Sequence, residues 1–538
     1  MTTLIQPRAA EAAAPLAPAN HGQLLRPDTV FWAWCVLHVL AWTIGPALMY
    51  SSVPRDTLEG ITWGQMWQWG YEKHPPLAAW ISAFFTQLGG VVGWPVFLAA
   101  QLCVTLSLWA VWQLARSVLT PWAALVATML LDGVYYYNIG SLTLNPNIVM
   151  LPTWAMLTLS VYRVIEAPSA RRWLAVGCWA GLAMLAKYES AILLLVLVAA
   201  GAASPRGRAV LRQPGLWLAM AAGVVVTLPN VIWVVRHDFM PIHYALGNMA
   251  LESVQGSQGP IGKFSAYPAW LEFGVEQLLA CLPAALLYAL WFLWPTSLRG
   301  SAVEPAPAPT SQASEVWRTR FIAVVAWGSL VFTMLLAAST SVQLIARWGF
   351  PFFNLLGIWL LLRLRPRLTR RRLAGFVASI AALQLALLAG SYWTIFVRPH
   401  QSGLPPYSIT YPNTTLANEV TAQWHARYGR PLKIVAGDRW LVAGVCAYSP
   451  DRPFAFFDWL DEWNPWISKQ DLATRGAAMV HVIGPDESGE QGFIASLHAR
   501  YPTLTGDQVL SLPHLSAAPL APVKFWIGFL PPESPAAD

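Results

Sequence analysis

The stretch Ser51–Leu77, SSVPRDTLEGITWGQMWQWGYEKHPPL, sets Asp56 and Glu59 ahead of Lys73 and His74 in a chain that is otherwise greasy. Asp56 and Glu59 stand at i and i+3, so on a helix they share one face. A carboxylate within hydrogen-bond reach of a hydroxyl can take its proton, and a cation stabilises a departing phosphate. Paired carboxylates beside a cationic patch, at the mouth of a helix bundle, therefore suit transfer chemistry on an anionic lipid. The D-x-x-E spacing fits a helix capping box equally well, and Lys73 and His74 also fit interfacial anchors. His74 is partly neutral near pH 7, so Lys73 is the firmer charge. Farther along, Lys187 lies in the turn AKYES (Ala186–Ser190) of a tight apolar hairpin. An ionisable residue at membrane depth is a functional candidate, with Glu189 as its nearest partner.

The elements that position these residues are membrane helices. Of 538 residues, 56% are hydrophobic and 11% charged, far below the quarter-charged composition of soluble domains. Eleven helices are expected at 31–50, 93–115, 121–139, 147–165, 173–187, 189–203, 215–235, 268–295, 320–338, 349–363 and 373–396. With a cytoplasmic N-terminus, eighteen arginines fall in cytoplasmic loops and six Lys or Arg in the opposite loops, a positive-inside bias. The net charge of +7 is mainly this topology signal and not a nucleic-acid footprint. The first hydrophobic run starts late, near Phe31, and lacks a small-residue cleavage site, so it reads as an anchor. Tryptophans at segment ends, including Trp32, Trp63, Trp67 and Trp233, fit interfacial belts.

The expected organisation is a cytoplasmic tail over 1–29, a transmembrane domain over 30–397 and an extracytoplasmic α/β domain over 398–538. Within the second, the first outer loop spans 51–92 and a Pro/Ala-rich cytoplasmic linker, predicted disordered, spans 299–318. In the outer loop, Asp56 to Trp67 reads as a helix lying flat on the membrane, and Pro76 opens a second short helix through LAAWISAFF. In the tail, LKIVAG (432–437) and AAMVHVIG (477–484) read as strands and 416–429 as a helix. The five cysteines suggest neither a disulfide framework nor a metal site. No GxxxxGK[ST], GxGxxG or HExxH occurs, and His425, His481, His498 and His514 lack ligand spacing.

The acidic residue, the aromatic-rich helix and then GYEKHPPL together resemble the GT-C glycosyltransferases of the protein-mannosyltransferase-like superfamily. Within that group the chain is similar to the lipid A aminoarabinose transferases and the rhizobial galacturonosyltransferases. Supporting stretches are NIGSLTLNPNIVMLPTW (138–154), GLAMLAKYESAILLL (181–195), LPNVIWVVRHDFMPIHYAL (228–246) and ARWGFPFF (346–353), in order over about 30–400. The resemblance implies a GT-C fold and a polyprenyl-monophosphate sugar donor, attacked at its anomeric carbon with inversion by a lipid, glycan or protein acceptor. It implies that the first-loop acid acts as base or orients a metal or the acceptor. Relatives carry an adjacent Asp-Glu pair where this chain has Leu58-Glu59; by spacing to HPPL, Glu59 is the better match, with Asp56 on the same helix face. Tyr71, Lys73 and His74 fall at the family's donor-contacting motif, and Arg236 and Arg347 become second-tier phosphate ligands beside Lys187. The second-loop acid of many relatives appears as Asn145 or Asn147, which weakens the case for a divalent cation. No cofactor is certain, and a cation stays open. The aminoarabinose transferases' glutamate-histidine pair and distal arginine are replaced by GNMALESV, implying a different sugar or acceptor.

The expected activity is glycosyl transfer at the outer leaflet, which in a bacterium is the periplasmic face of the inner membrane. A transporter or flippase for a lipid-linked sugar would need broken or charged helices near mid-membrane and internal repeats; the sequence displays neither. A non-catalytic polyprenyl-lipid-binding relative is the third reading, motivated by the missing second-loop acid. The odd number of crossings gives the first test. A cysteine introduced in the tail should react with a membrane-impermeant reagent in intact spheroplasts, and labelling only after permeabilisation would break the topology.

Overall fold

The computed structural model describes residues 26–90, 92–255, 268–293, 303, 312–340, 344–403, 407–484 and 487–533. The expected N-terminal tail up to residue 25 lies outside them. From α1 (Pro27–Met49) the chain passes through two short helices, α2 (Arg55–Met66) and α3 (Leu77–Gly89), to α4 (Trp94–Arg116) and α5 (Pro121–Met129). Next come α6 (Pro146–Glu166), α7 (Ala170–Ala186), α8 (Ser190–Ala202), α9 (Pro205–Leu211), α10 (Gly215–Arg236) and α11 (Met240–Gln255). The bundle closes with α12 (Ala269–Tyr288), α13 (Gln312–Thr340), α14 (Leu356–Leu364) and α15 (Arg370–Tyr392), which runs on into α16 (Arg398–Ser402). Among the described residues seven helices are long and apolar enough to cross a membrane: α1, α4, α6, α10, α12 with its extension to Leu293, α13, and the run Arg370–Ser402. Each of the eleven expected segments contains helix, the remaining four in shorter pieces.

Two expectations change, and the hairpin expected over 173–203 is present. The segment 121–139 is not one helix: α5 stops at Met129 and Leu130–Leu142 proceeds mostly in 3₁₀ turns. Of the linker 299–318, residues 299–302 and 304–311 lie outside the described residues, but 312–318 is already the first part of α13. That turn is held because Trp317 stacks on Tyr162 at 5.1 Å and Arg318 pairs with Glu166 at 2.6 Å. The stretch 173–203 is a hairpin, turning at Lys187–Glu189 between α7 and α8.

A broken helix inside a membrane exposes carbonyls that must be satisfied by protein. Here Asn138 Nδ2 donates to the carbonyls of Asp132 and Val134, each at 3.0 Å, and Gln384 Nε2 reaches the Asp132 carbonyl at 2.9 Å. The Asp132 carboxylate takes the Trp34 indole N–H and faces His38 Nδ1 at 3.3 Å, while His38 Nε2 meets Gln101 at 3.1 Å. His38, Gln101 and Asp132 are all buried. This network ties α1, α4 and α15 to the break and delivers the chain to Asn145, where α6 begins.

The tail domain opens with α17 (Asn413–Tyr428), then alternates β1 (Ile434–Gly437), α18 (Arg439–Tyr448), β2 (Phe454–Phe457), α19 (Lys469–Arg475) and β3 (Ala477–Val482). It closes with α20 (Glu487–Arg500), β4 (Thr505–Leu512) and β5 (Val523–Leu530). The sheet order is β2-β1-β3-β5-β4, with β2, β1 and β3 parallel and β5 antiparallel to both its neighbours. Ligand-facing residues of such sheets lie beyond the carboxyl ends of the parallel strands. Those ends, at Asp438 and Asp458, carry Arg439 toward α2.

The tail docks directly on the first outer loop. Ser52 N–H donates to the Ile409 carbonyl at 2.9 Å, Val53 N–H to the Tyr448 hydroxyl at 3.0 Å, and Asn413 Nδ2 to Ser52 Oγ at 2.8 Å. The helix expected from Asp56 to Trp67 is present as α2, enclosed by protein. Thr57 to Gly64 are buried without interruption, because α18 covers one side of the helix and α3 the other. A Cβ on Gly64 would sit 2.2 Å from the Ala79 carbonyl oxygen and 2.5 Å from Ala83 Cβ. Gly64→Ala should therefore push α2 and α3 apart and cost at least about 1–3 kcal/mol. Thermal unfolding in detergent checks this, with Gly390→Ala, whose Cβ would meet nothing within 4 Å, as the unchanged control.

Candidate active site

Four residues of α2 at helical spacing, Asp56, Glu59, Gly60 and Trp63, form one wall of a cavity of about 830 Å³. Lys73, His74 and the start of α3 form the floor, Asn145 and Asn147 the start of α6, and Lys187 to Glu189 the tip of the α7–α8 hairpin. Arg347 and Trp348 close another side, and Trp440 of the tail domain overhangs it. Leu336, Ala337, Leu344 and Ile192 supply an apolar flank.

On the tail side lies a buried charge cluster. Glu59 Oε1 accepts from Lys73 Nζ at 2.7 Å and from an Arg439 Nη at 2.8 Å. The same Arg439 nitrogen contacts Glu72 Oε1 at 2.5 Å, and Arg439 Nε meets Asp458 at 2.7 Å. Burial pushes the Glu59 carboxyl up, but the two cations outweigh it and hold the group below its ordinary value. Glu72 goes the other way: burial raises it, Arg439 opposes this, and the Glu59 charge adds to the rise. For Lys73, burial pulls the ammonium down and Glu59 more than restores it. The ammonium also faces the rings of Trp63, Tyr244 and Trp440 at 5.8, 5.6 and 5.3 Å, contacts that favour a cation.

The opposite side is more open. Asp56 Oδ2 lies 3.3 Å from Arg347 and 3.2 Å from Asn145 Nδ2. Asn145 caps α6 with its Oδ1, accepting from Asn147 and Ile148 N–H, so one amide fixes both the helix start and the carboxylate. Lys187 Nζ bonds Glu189 at 2.6 Å and Asn147 Oδ1 at 2.9 Å and faces Trp348 at 5.4 Å. The Asp56 side chain keeps 28% exposure against 6% for Glu59. A base must release its partners to reach a substrate, and Asp56 has the weaker hold on it.

Of the residues singled out in sequence, Asp56, Glu59, Lys73, His74, Asn145, Asn147, Lys187 and Arg347 all line this cavity. Tyr71 does not. It is buried beneath, stacked on Trp63 at 5.2 Å, its hydroxyl donating to the Trp63 carbonyl at 2.7 Å and accepting Gln68 N–H at 3.2 Å. With Tyr71 N–H bonded to the His74 carbonyl at 3.0 Å, it shapes the loop that presents Lys73. Arg236 is exposed at the end of α10, away from the cavity lining. The capping-box reading of Asp56 fails: Pro54 is the N-cap of α2 and no side chain caps it. His74 is not a partial cation. Burial, then Lys187 and Lys73, pull its imidazole down to about 3, and its remaining surface faces the cavity. Glu72, Tyr244, Arg439 and Trp440 went unread. Arg439 had a usable signal, since it follows KIVAGD, the carboxyl end of a parallel strand where a helix begins.

Among the described residues no three His, Cys, Asp or Glu side chains converge to hold a metal ion. The two wall carboxylates are instead taken up by Arg347, Lys73 and Arg439. This donor set does not fit a divalent cation.

Comparison with known proteins agrees with this architecture. The family profile described as dolichyl-phosphate-mannose-protein mannosyltransferase matches residues 73–233. The lipid A galacturonosyltransferase RgtD of Rhizobium johnstonii is 25% identical over 390 residues, 69% of this chain and 72% of that protein. The lipopolysaccharide core galacturonosyltransferase RgtB of the same organism is 23% identical over 434 residues, 79% of this chain and 81% of that protein. The crystal structure of ArnT from Cupriavidus metallidurans bound to undecaprenyl phosphate has the same fold, with a TM-score of 0.56 at 14% identity over 93% of this chain and 97% of that one. In its family match over 73–233, in its relatives and in its fold, the chain is related to the GT-C glycosyltransferases of the protein-mannosyltransferase-like group.

Proposed function

We propose that the chain transfers a sugar from a polyprenyl-monophosphate donor, with inversion, to a hydroxyl of an envelope glycolipid of the lipid A or lipopolysaccharide type. The carrying observation is one cavity that holds Lys73, Lys187 and Arg347 around Asp56 and has an apolar flank from α8 and α13. The cations suit a phosphate, and the flank suits an isoprenoid tail. The galacturonosyltransferase relatives and the undecaprenyl phosphate held by the ArnT neighbour support the donor and acceptor classes. The expected topology and the organisms of these relatives support a bacterial inner membrane with the cavity and tail domain on the periplasmic side.

In this reading Asp56, oriented by Asn145 and Arg347, takes the acceptor hydroxyl proton. The acceptor oxygen bonds to the anomeric carbon from the face opposite the phosphate, and the bond from that carbon to the phosphate oxygen breaks. The leaving polyprenyl phosphate gains a negative charge, which Lys73, Lys187 and Arg347 stabilise. His74 stays neutral between these cations and offers a hydrogen bond and no charge.

A transfer assay with protein in lipid and a panel of polyprenyl-phosphate sugars tests this. Asp56→Asn should lower turnover by about 10²–10⁴-fold, the usual contribution of a general base, while Glu59→Gln should change turnover far less. Full turnover in both variants would sink the first-loop mechanism, and loss confined to Glu59→Gln would reverse the assignment of the base.

The depressed imidazole gives a pH signature. Below 6.5 the unfolded chain protonates His74 and the folded one does not until about 3, so stability must fall as pH drops through that window. The lowered Glu59 carboxyl acts in the same direction below its ordinary 4.5. The melting temperature in detergent should decline from pH 6.5 toward 4, with a shallower slope in His74→Gln. An inflection in turnover between pH 5 and 8 that disappears in His74→Gln would contradict a neutral His74.

A further inference from the structure

The proposed chemistry leaves one electrostatic difficulty, and the tail domain resolves it. Lys73 must bind the donor phosphate, yet its ammonium is already committed to Glu59 at 2.7 Å. Glu59 is 4% exposed, and a buried carboxylate that loses its only cation is strongly destabilised, commonly by about 3–5 kcal/mol. A lysine paired with such a group would not be free to turn to a ligand. Glu59, however, has a second partner on the same oxygen, an Arg439 Nη at 2.8 Å.

We propose that Arg439 is a positioning residue that holds Glu59 while Lys73 exchanges this carboxylate for the donor phosphate. The proposal rests on the donor class given above. Four observations carry it. Arg439 is 7% exposed, and its Nη2 is a buried donor without a hydrogen-bond partner among the described residues, so it has bonding capacity in reserve. Its guanidinium is fixed by Asp458 at 2.7 Å and by the rings of Phe457 and Trp463 at 5.0 and 5.4 Å, so it stays when Lys73 moves. The inner cluster sets Lys73 and Arg439 against Glu59, Glu72 and Asp458, so it has no cation to spare. The aromatic rings around the Lys73 ammonium give it a cation-compatible path off Glu59. Without Arg439 both carboxylates would draw on Lys73 alone.

The test is equilibrium binding of undecaprenyl monophosphate to the full-length protein in nanodiscs, read by tryptophan fluorescence, with melting temperatures recorded in parallel. Arg439→Gln should weaken binding by about 10- to 100-fold, as expected when one charge-assisted partner is lost. Arg439→Lys should fall between it and the unaltered protein. The double variant Glu59→Gln/Arg439→Gln removes one charge of each sign, including the carboxylate that would otherwise hold Lys73, and should recover binding to within a few-fold of the unaltered protein. A merely structural role predicts no such recovery. Binding by Arg439→Gln equal to the unaltered protein, or a folded double variant as weak as Arg439→Gln, overturns the proposal. If Arg439→Gln does not fold, the double variant alone decides: near-normal binding supports the exchange and weak binding refutes it. Lys73→Gln separates the two readings, because normal binding by that variant removes the phosphate role of Lys73 itself, whatever Arg439 does.

Discussion

A carboxylate cut off from water has to be neutralised by something the protein provides, and the site is built around that demand at Glu59. Lys73 comes from the same outer loop and Arg439 from a domain that begins beyond the last span. Sharing one oxygen between them welds α2, the HPPL loop and the carboxyl edge of the tail sheet into one body. The surrounding packing serves this junction. Gly64 lets α3 approach, Tyr71 braces the loop from below, and α18 seals the side that would otherwise face water. The charge cluster is costly to bury, and its retention marks a site where geometry matters more than stability.

The second constraint operates in the membrane. The chain leaves helical geometry after Met129, and side-chain amides of Asn138 and Gln384 take up carbonyls that the helix would have satisfied. The break brings the chain to Asn145, whose side chain both starts α6 and bonds Asp56. A polar network in α1, α4 and α15 thus sets, through backbone placement, where the more accessible carboxylate of the cavity is held.

Much of this was legible in sequence where the signal was local. The i, i+3 spacing of Asp56 and Glu59, the Lys187 hairpin and the positive-inside bias are short-range patterns, and the cavity gathers eight residues named from them or from the family resemblance. What escaped was non-local. The α2 tryptophans suggested an interfacial helix, and the sequence does not say that α18 will cover it. Glu72 sits inside a quoted motif, yet only Arg439 reveals its place, and 367 residues separate them. His38 and Asp132 are single polar residues in apolar runs, each unremarkable until the fold sets them 3.3 Å apart. The mid-membrane break and charge expected of a transporter were therefore present but unread, and here they serve the positioning of a glycosyltransferase site.

Arg439 also orders events during synthesis. Ribosomes deliver the outer loop long before the tail, so for most of elongation Glu59 and Glu72 share Lys73 and the inner cluster carries an excess negative charge. Only when the tail has folded against α2 does the guanidinium reach the two carboxylates. The site is therefore complete only when the outer loop and the tail sheet, drawn from distant parts of the sequence, have met.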